Sequence, residues 1–241
     1  MAVRRVARTL TAVAAAVLIG TGAAACSGGD GGKDSGSAAM TFKAPAAADV
    51  LAKLPAKLAD DGTTVIVGKP DAPHTVKVYL DPQCMYCAKF ELGGGEALAK
   101  AIEGGKVKAE YTVASFLDQG ETGGSTRAAN AMRAALEQGK FAEFAAAVYA
   151  NQPTEGSKGA FGEEDLLKIA DKVPGLRGAA FDKAVKELTY KDWVTKSNKA
   201  FVDSGLQGTP AVLLGDKQLQ TKEGLFTADG FAKALKDAGF N

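Results

Sequence analysis

Histidine, tryptophan and cysteine are scarce in this chain of 241 residues, which has one His, one Trp and three Cys. A single histidine, His74, excludes a histidine-rich catalytic plan, and its place after Pro73 at a strand start predicts a solvated loop residue. One C-x-x-C pair and one His fall short of the about four ligands of a zinc site, and a copper site built on Met and Cys is equally short of donors. Charge of one sign is lacking too. Lys and Arg number 29 against 28 Asp and Glu, a formal charge of +1. Without Arg4, Arg5 and Arg8 the balance becomes 26 against 28, about −2, which gives no electrostatic footprint for nucleic acid. The apolar stretch Leu10 to Ala25 is Ala/Gly-rich and shorter than the about 20 residues of a comfortable membrane span. No internal repeat is visible.

What is present is an alternation of strand and helix signals. Asp49 to Leu58 is Ala/Leu/Lys-rich and predicts a short helix interrupted by Pro55. Thr63 to Val67 is a β-branched run, Gly68 to Pro73 a turn cluster, and His74 to Leu80 a second strand. A helix after Cys84 carries Phe90, Leu92, Leu98 and Ile102, but Gly93-Gly94-Gly95 predicts a break, since each glycine costs about 1 kcal/mol against alanine in a helix interior. Val107 to Val113 alternates as a third strand. A helical block follows, read from the periods Ala128/Met132/Ala135/Leu136, Phe141/Phe144/Ala145/Val148, Leu166/Ile169/Ala170/Val173 and Phe181/Val185/Leu188, and closed by Lys191 to Asp203 with Trp193 as a core anchor. Glu163-Glu164-Asp165 suits a first helical turn. Ala211 to Leu214, a Gly215-Asp216 turn and Lys217 to Gln220 predict a hairpin, and a last helix is capped by Thr227 with Phe231 and Leu235 inward.

Cys84-Met85-Tyr86-Cys87 stands at a strand-to-helix junction. A helix N-terminus offers unpaired N–H groups and the positive end of the macrodipole, so a thiolate at Cys84 is stabilised there. Cys87 lies one turn on and on the same helix face, a separation a disulfide can span. Such a pair can exchange disulfides without a metal or cofactor. It can also form a purely structural bond, although so short a loop adds little stability.

The N-terminus bears on the third cysteine. Arg4, Arg5 and Arg8 precede the apolar stretch, and Ala23-Ala24-Ala25-Cys26-Ser27-Gly28 resembles a bacterial lipoprotein signal. That resemblance implies a signal peptide over 1–25, cleavage before Cys26, and lipidation, including palmitate, of Cys26. It implies location at the extracytoplasmic face of the cell membrane. Lipid would also account for the odd cysteine, leaving only the C-x-x-C pair. Ser27 to Met40 is Gly/Ser/Asp-rich and predicts a flexible tether with a root-mean-square reach of roughly 20 Å.

Three segments resemble DsbA-type thiol–disulfide oxidoreductases. These are Val67 to Phe90 around the dithiol, Gln138 to Phe144 continuing to Tyr149-Ala150-Asn151-Gln152-Pro153, and Gly208-Thr209-Pro210 running on to Lys217. The resemblance implies an α/β thioredoxin-like fold over 61–119 and 205–241. It also implies a helical insertion over 120–204, between the third strand and the cis-proline strand, with 26–60 as lipidated tether and short helix. By carry-over, Cys84 exchanges with substrate and Cys87 resolves the mixed disulfide. Thr209–Pro210 is cis and pairs with an extended substrate segment, with Met85 and Tyr86 beside it. The partners implied are thiols and disulfides of exported proteins, a membrane redox partner that recycles the dithiol, and the membrane through the lipid; the chain is expected to work as a monomer.

The chain departs from the family where Met85 replaces a common proline, Tyr86 the histidine of the strongest oxidants, and Val78 the buried acid six residues before the first Cys. Thiolate stabilisation then rests mainly on the helix terminus, which predicts an oxidant milder than the about −120 mV extreme. Proton acceptance from Cys87 falls to Asp81 or water. The expected function is oxidation of exported proteins. Reduction or isomerisation on the same fold, or a lipoprotein binding module with a passive C-x-x-C, are the alternatives.

Overall fold

The computed structural model describes residues 42–118, 123–153, 161–219 and 222–240. The signal stretch, Cys26 and the tether lie outside the described residues, as does Gln220 at the end of the hairpin. A six-stranded mixed sheet in the order β1-β2-β4-β3-β5-β6 forms the scaffold. Its centre is β3 (His74–Leu80), which pairs in parallel with β4 (Val107–Val113) from His74↔Val107 to Leu80↔Val113. Parallel strands need a crossover, and α2 (Met85–Glu91) and α3 (Gly94–Glu103) supply it. The period of two in β3 buries Val76, Val78 and Leu80 and leaves Thr75, Lys77 and Tyr79 half-buried on the other face. His74 is not a solvated loop residue. It opens β3 and stacks on Phe240 with ring centroids 4.5 Å apart.

On the other side of β3, β5 (Ala211–Leu214) runs antiparallel, with Val78↔Val212 and Tyr79↔Ala211, and turns through Gly215-Asp216 into β6 (Lys217–Gln218). Gly215 has φ 64°, the left-handed conformation that a tight hairpin requires. The far edge holds a correction. The expected helix from Asp49 to Leu58 exists only as α1 (Ala48–Leu51). Ala56–Leu58 is instead β1, antiparallel to β2 (Val65–Val67), so the sheet starts before residue 61. Pro55 stops the helix, because it disfavours helical geometry at Leu54 and lacks an N–H, and pairing with β2 then makes the next three residues a strand. The strand that precedes the helical block is therefore the fourth in chain order.

The break at Gly93-Gly94-Gly95 falls between α2 and α3, and packing explains it better than helix propensity does. A Cβ on Gly93 would sit 2.2 Å from the Phe226 carbonyl oxygen, and one on Gly94 2.3 Å from that of Leu225. Only glycine lets the chain between α9 (Lys222–Leu225) and α10 (Ala228–Asp237) approach this closely. Thr227 caps α10 by accepting from Gly230 N–H, and Phe231 and Leu235 point inward.

Among the described residues, five helices, α4 (Gly124–Glu137), α5 (Phe141–Ala150), α6 (Glu163–Ala170), α7 (Ala179–Glu187) and α8 (Lys191–Asp203), lie between β4 and β5. Buried Asn130 on α4 donates to the Ala184 carbonyl of α7 and accepts from Tyr190 N–H ahead of α8. Ser197 on α8 accepts from Val113 N–H at the end of β4, and so ties this block to the sheet. Phe144 and Phe181 meet edge to face, and Trp193 is buried.

Candidate active site

The site follows from strand register. Leu80 ends β3, and Asp81-Pro82-Gln83 turn the chain so that Cys84 becomes the N-cap of α2, with extended backbone at φ −72°, ψ 114°. Because Ala211 pairs with Tyr79, Thr209 two residues earlier lies level with Asp81 and therefore beside Cys84. The Thr209–Pro210 peptide bond is cis, and the Thr209 carbonyl oxygen lies 3.2 Å from Cys84 Sγ. The structure thus brings together Cys84, Cys87, Thr209 and Pro210, which are far apart in the chain. Both cysteines are free thiols.

The two sulfurs are unequal. Cys84 keeps 9% of its surface and Cys87 none. The Cys84 thiol is pulled from 9.0 down to about 6. Donation by Cys87 contributes most, burial opposes it, and the N–H groups of Cys87 and Tyr86 add further donation. Cys84 is therefore largely thiolate at pH 7. Burial pushes Cys87 well above 9.0, and hydrogen bonding to Cys84 and its charge push it further. An acidic first sulfur that keeps a little surface and a fully buried, basic second one suit sequential exchange. A value of about 6 lies between those of thioredoxin, about 7, and DsbA, about 3.5.

A groove of about 330 Å³ opens beside Cys84, lined by Tyr86, Thr209, Pro210, Leu219 and Phe226 among others. Tyr86, half exposed, faces Phe226 at 6.0 Å and carries Lys89 Nζ 4.8 Å from its ring centroid. Met85 is exposed at 38% beside the dithiol but does not line the groove. A larger depression between α3 and α10 lies away from the sulfurs.

Asp81 is fully buried. Its carboxylate accepts from Gln83 N–H, Leu117 N–H and the Ser125 hydroxyl. Burial raises its pKa to about 6 against the pull of those donors, so it anchors the active-site turn. The group of Asp81 that bears on the Cys87 thiol is its backbone.

Several residues of the site carry no signal in the sequence. Gln152, just past α5, donates from Nε2 to the carbonyls of Pro82 at 2.7 Å and Cys84 at 3.0 Å, clamping the turn from the helical block. Its neighbour Asn151 both donates to and accepts from the backbone of Lys43. Asp118 accepts from Ser125 and Thr126 N–H at the start of α4, where Gly123 offers no side chain, and from Gln83 Nε2. Gln152 stands in a segment that resembles the family, but only tertiary contact reveals its role. Among the described residues no three His, Cys, Asp or Glu side chains gather in a metal-binding arrangement.

The site can be set beside known proteins. The family model for thioredoxin matches residues 60–237. No curated protein matches the sequence. Solved structures do match the fold. MdbA, a thiol-disulfide oxidoreductase from Corynebacterium diphtheriae, is 19% identical, with TM-score 0.61 over 77% of this chain and 93% of its own. BdbD from Bacillus subtilis is 21% identical, with TM-score 0.61 over 77% and 97%. DsbA from Mycobacterium tuberculosis is 23% identical, with TM-score 0.55 over 71% and 94%. With the dithiol at a helix N-terminus and a cis-proline loop against it, the chain belongs to the thioredoxin family and has the fold of the DsbA-type thiol–disulfide oxidoreductases.

Proposed function

We propose that this protein is a thiol–disulfide oxidoreductase that oxidises the thiols of exported proteins. The observation that carries the reading is the asymmetry of the dithiol, with Cys84 drawn down to about 6 and partly exposed, and Cys87 buried and raised. A client thiolate attacks Cys84 of the disulfide, Cys87 leaves, and a second client thiolate then attacks the mixed disulfide. The client leaves with a disulfide, and the enzyme is left as a dithiol. Stabilising the Cys84 thiolate stabilises that reduced product and makes the couple oxidising. An extended client segment fits the groove, with its backbone against Thr209 and a side chain against Tyr86 and Phe226. The signal-like N-terminus supports export and lipidation at Cys26. Such an anchor would hold the dithiol within reach of a membrane redox partner that removes its electrons.

Replacing Cys87 with Ser tests this. The variant accumulates mixed disulfides between Cys84 and exported client proteins, seen as high-mass species on non-reducing gels that dithiothreitol dissolves. Their complete absence, with Cys84 alkylatable, would instead identify a binding module with a passive C-x-x-C.

A further inference from the structure

The segment ahead of the sheet has no part in the exchange described so far, yet it is bonded toward the active-site turn. Phe42, Val50 and Leu51 pack against the core, Pro45 and Leu54 are buried, and α1 lies on α3 and α5. At the start of this segment the backbone of Lys43 meets the side chain of Asn151 twice. The Lys43 N–H donates to Asn151 Oδ1 at 2.6 Å, and the Lys43 carbonyl accepts from Nδ2 at 2.7 Å. Nδ2 donates again to the Ala147 carbonyl at 2.8 Å, one turn back on α5. Asn151 is buried, and both hydrogens of its amide are spent on these bonds.

Asn151 is the C-cap of α5, and Gln152 follows it directly. Helix ends fray, but this one is held by a stretch of chain 108 positions away. Gln152 Nε2 is thereby presented to the carbonyls of Pro82 at 2.7 Å and Cys84 at 3.0 Å. The Cys84 carbonyl also accepts from the N–H groups of Cys87 at 3.0 Å and Ala88 at 3.2 Å, as the N-cap of α2 requires. Gln152 and the first turn of α2 thus grip the same carbonyl. Fixing that carbonyl fixes the backbone of Cys84, and with it the aim of Sγ at the N–H groups of Tyr86 and Cys87.

We propose that the N-terminal segment sets the reactivity of Cys84, with Asn151 and Gln152 as the positioning residues that carry the contact from Lys43 to the active-site turn. The inference rests on the oxidoreductase reading, in which Cys84 is the sulfur that meets the client. Neither positioning residue touches a reacting atom. With the link whole, Cys84 Sγ stays within reach of the helix N–H groups and its thiolate is stabilised. With the link cut, the turn gains freedom and the thiolate loses part of that donation. The network on the other side of the turn does not replace it. Asp81 holds Gln83 N–H, and the Gln83 side chain donates to Asp118 and Ser125, so those bonds fix residues 81–83 and leave the Cys84 carbonyl to α2 and Gln152.

The test is the pH dependence of iodoacetamide alkylation at Cys84 in the reduced full chain, read by mass spectrometry of the peptide that carries it. The wild-type midpoint is expected near 6. Gln152→Ala and Asn151→Ala should each raise it by about one pH unit, a tenfold loss of thiolate below both midpoints and the scale of one weakened hydrogen bond to a charged group. The double variant should move no further than Gln152→Ala alone, because Asn151 acts through Gln152. Lys43→Pro lacks the N–H that Asn151 accepts and should shift in the same direction. Lys43→Ala keeps both backbone groups and should match the wild type. The titratable groups around the dithiol, Cys87, Asp81 and Tyr149, are the same in every variant. A merely structural role would lower the urea midpoint of these variants and leave the alkylation midpoint of the folded protein near 6. That result for Gln152→Ala or for Asn151→Ala overturns the proposal, as does a Lys43→Pro variant that matches Lys43→Ala. Oxidised wild type that exchanges no disulfide with glutathione overturns the functional reading instead, an outcome on which the alkylation midpoints do not depend.

Discussion

The two ends of the active-site helix each hold a carboxyl group withdrawn from water, Asp81 fully buried and Glu91 half-buried with one buried oxygen, and they are held in opposite ways. Asp81, before α2, has its oxygens met by two backbone N–H groups and a hydroxyl. Glu91, the last residue of α2, has one oxygen with no partner among the described residues. Burial raises both, but the donors hold Asp81 to about 6, whereas Glu91 rises to about 8 with nothing to oppose burial. A carboxyl whose hydrogen-bonding capacity is spent on neighbouring donors fixes a turn, and one that meets no donor holds its proton to higher pH.

The sign of the pH dependence is the same at both ends. Each folded pKa lies above the unfolded value, 3.8 for Asp81 and 4.5 for Glu91. The stability carried by the neutral carboxyl is therefore fully present below those values. It is lost as pH rises through about 6 for the first and about 8 for the second. At pH 5 both groups are largely protonated in the folded protein, so substitutions compared there report hydrogen bonding rather than charge.

The largest effect is expected at the anchored end. Asp81→Ala leaves Gln83 N–H, Leu117 N–H and the Ser125 hydroxyl without their acceptor, at about 1–3 kcal/mol for each that stays unmet. Urea unfolding of the oxidised protein at pH 5 should show a loss of about 3 kcal/mol, tempered where water replaces the carboxyl. A loss under about 1 kcal/mol would mean that the turn stands without Asp81 and that the two ends do not differ in kind.

Gln152 sharpens the contrast from across the site. Gln152→Ala removes two hydrogen bonds to the carbonyls of Pro82 and Cys84 and exposes those carbonyls to water. A loss of about 1–2 kcal/mol is expected in the same experiment. If unfolding is unchanged, the helical block does not brace the turn, and Asp81 carries that task alone.

What the sequence discloses, and what it does not, divides along the same line. The strand β3, the break at Gly93-Gly94-Gly95, helix α8 over Lys191–Asp203 and the cap at Thr227 are all readable because their causes are local: alternation, glycine, helical period and a hydroxyl at the right offset. The dithiol and Thr209–Pro210 are readable as motifs. The strand β1 is not, because three residues after Pro55 show no period, and only pairing with β2 makes them a strand. Gln152 lies 68 positions from Cys84, and Asp118 acts as a cap from outside the helix it serves. Glu91 reads as an ordinary acid on a helix. Its environment comes from α3, β4 and α5 closing over it, which no window around residue 91 contains.

The smallest effect is expected at Glu91 and is the most diagnostic. At pH 5 its carboxyl is neutral and one oxygen lacks a partner, so glutamine matches it in size and charge and breaks no bond to Oε1. Volume-conserving changes that leave no new group unpaired cost little, and Glu91→Gln should alter stability by no more than about 1 kcal/mol. The gap should then open in favour of glutamine as pH rises from 4.5 toward about 8, because the wild-type carboxyl ionises in the unfolded chain while burial keeps it protonated in the folded one, and the amide does neither. The same urea series at pH 5, 7 and 8 checks this. A Glu91→Gln variant as damaged at pH 5 as Asp81→Ala would show that Glu91 is tied into the fold as Asp81 is. A gap that stayed constant with pH would show that Glu91 never carries the raised pKa that burial imposes.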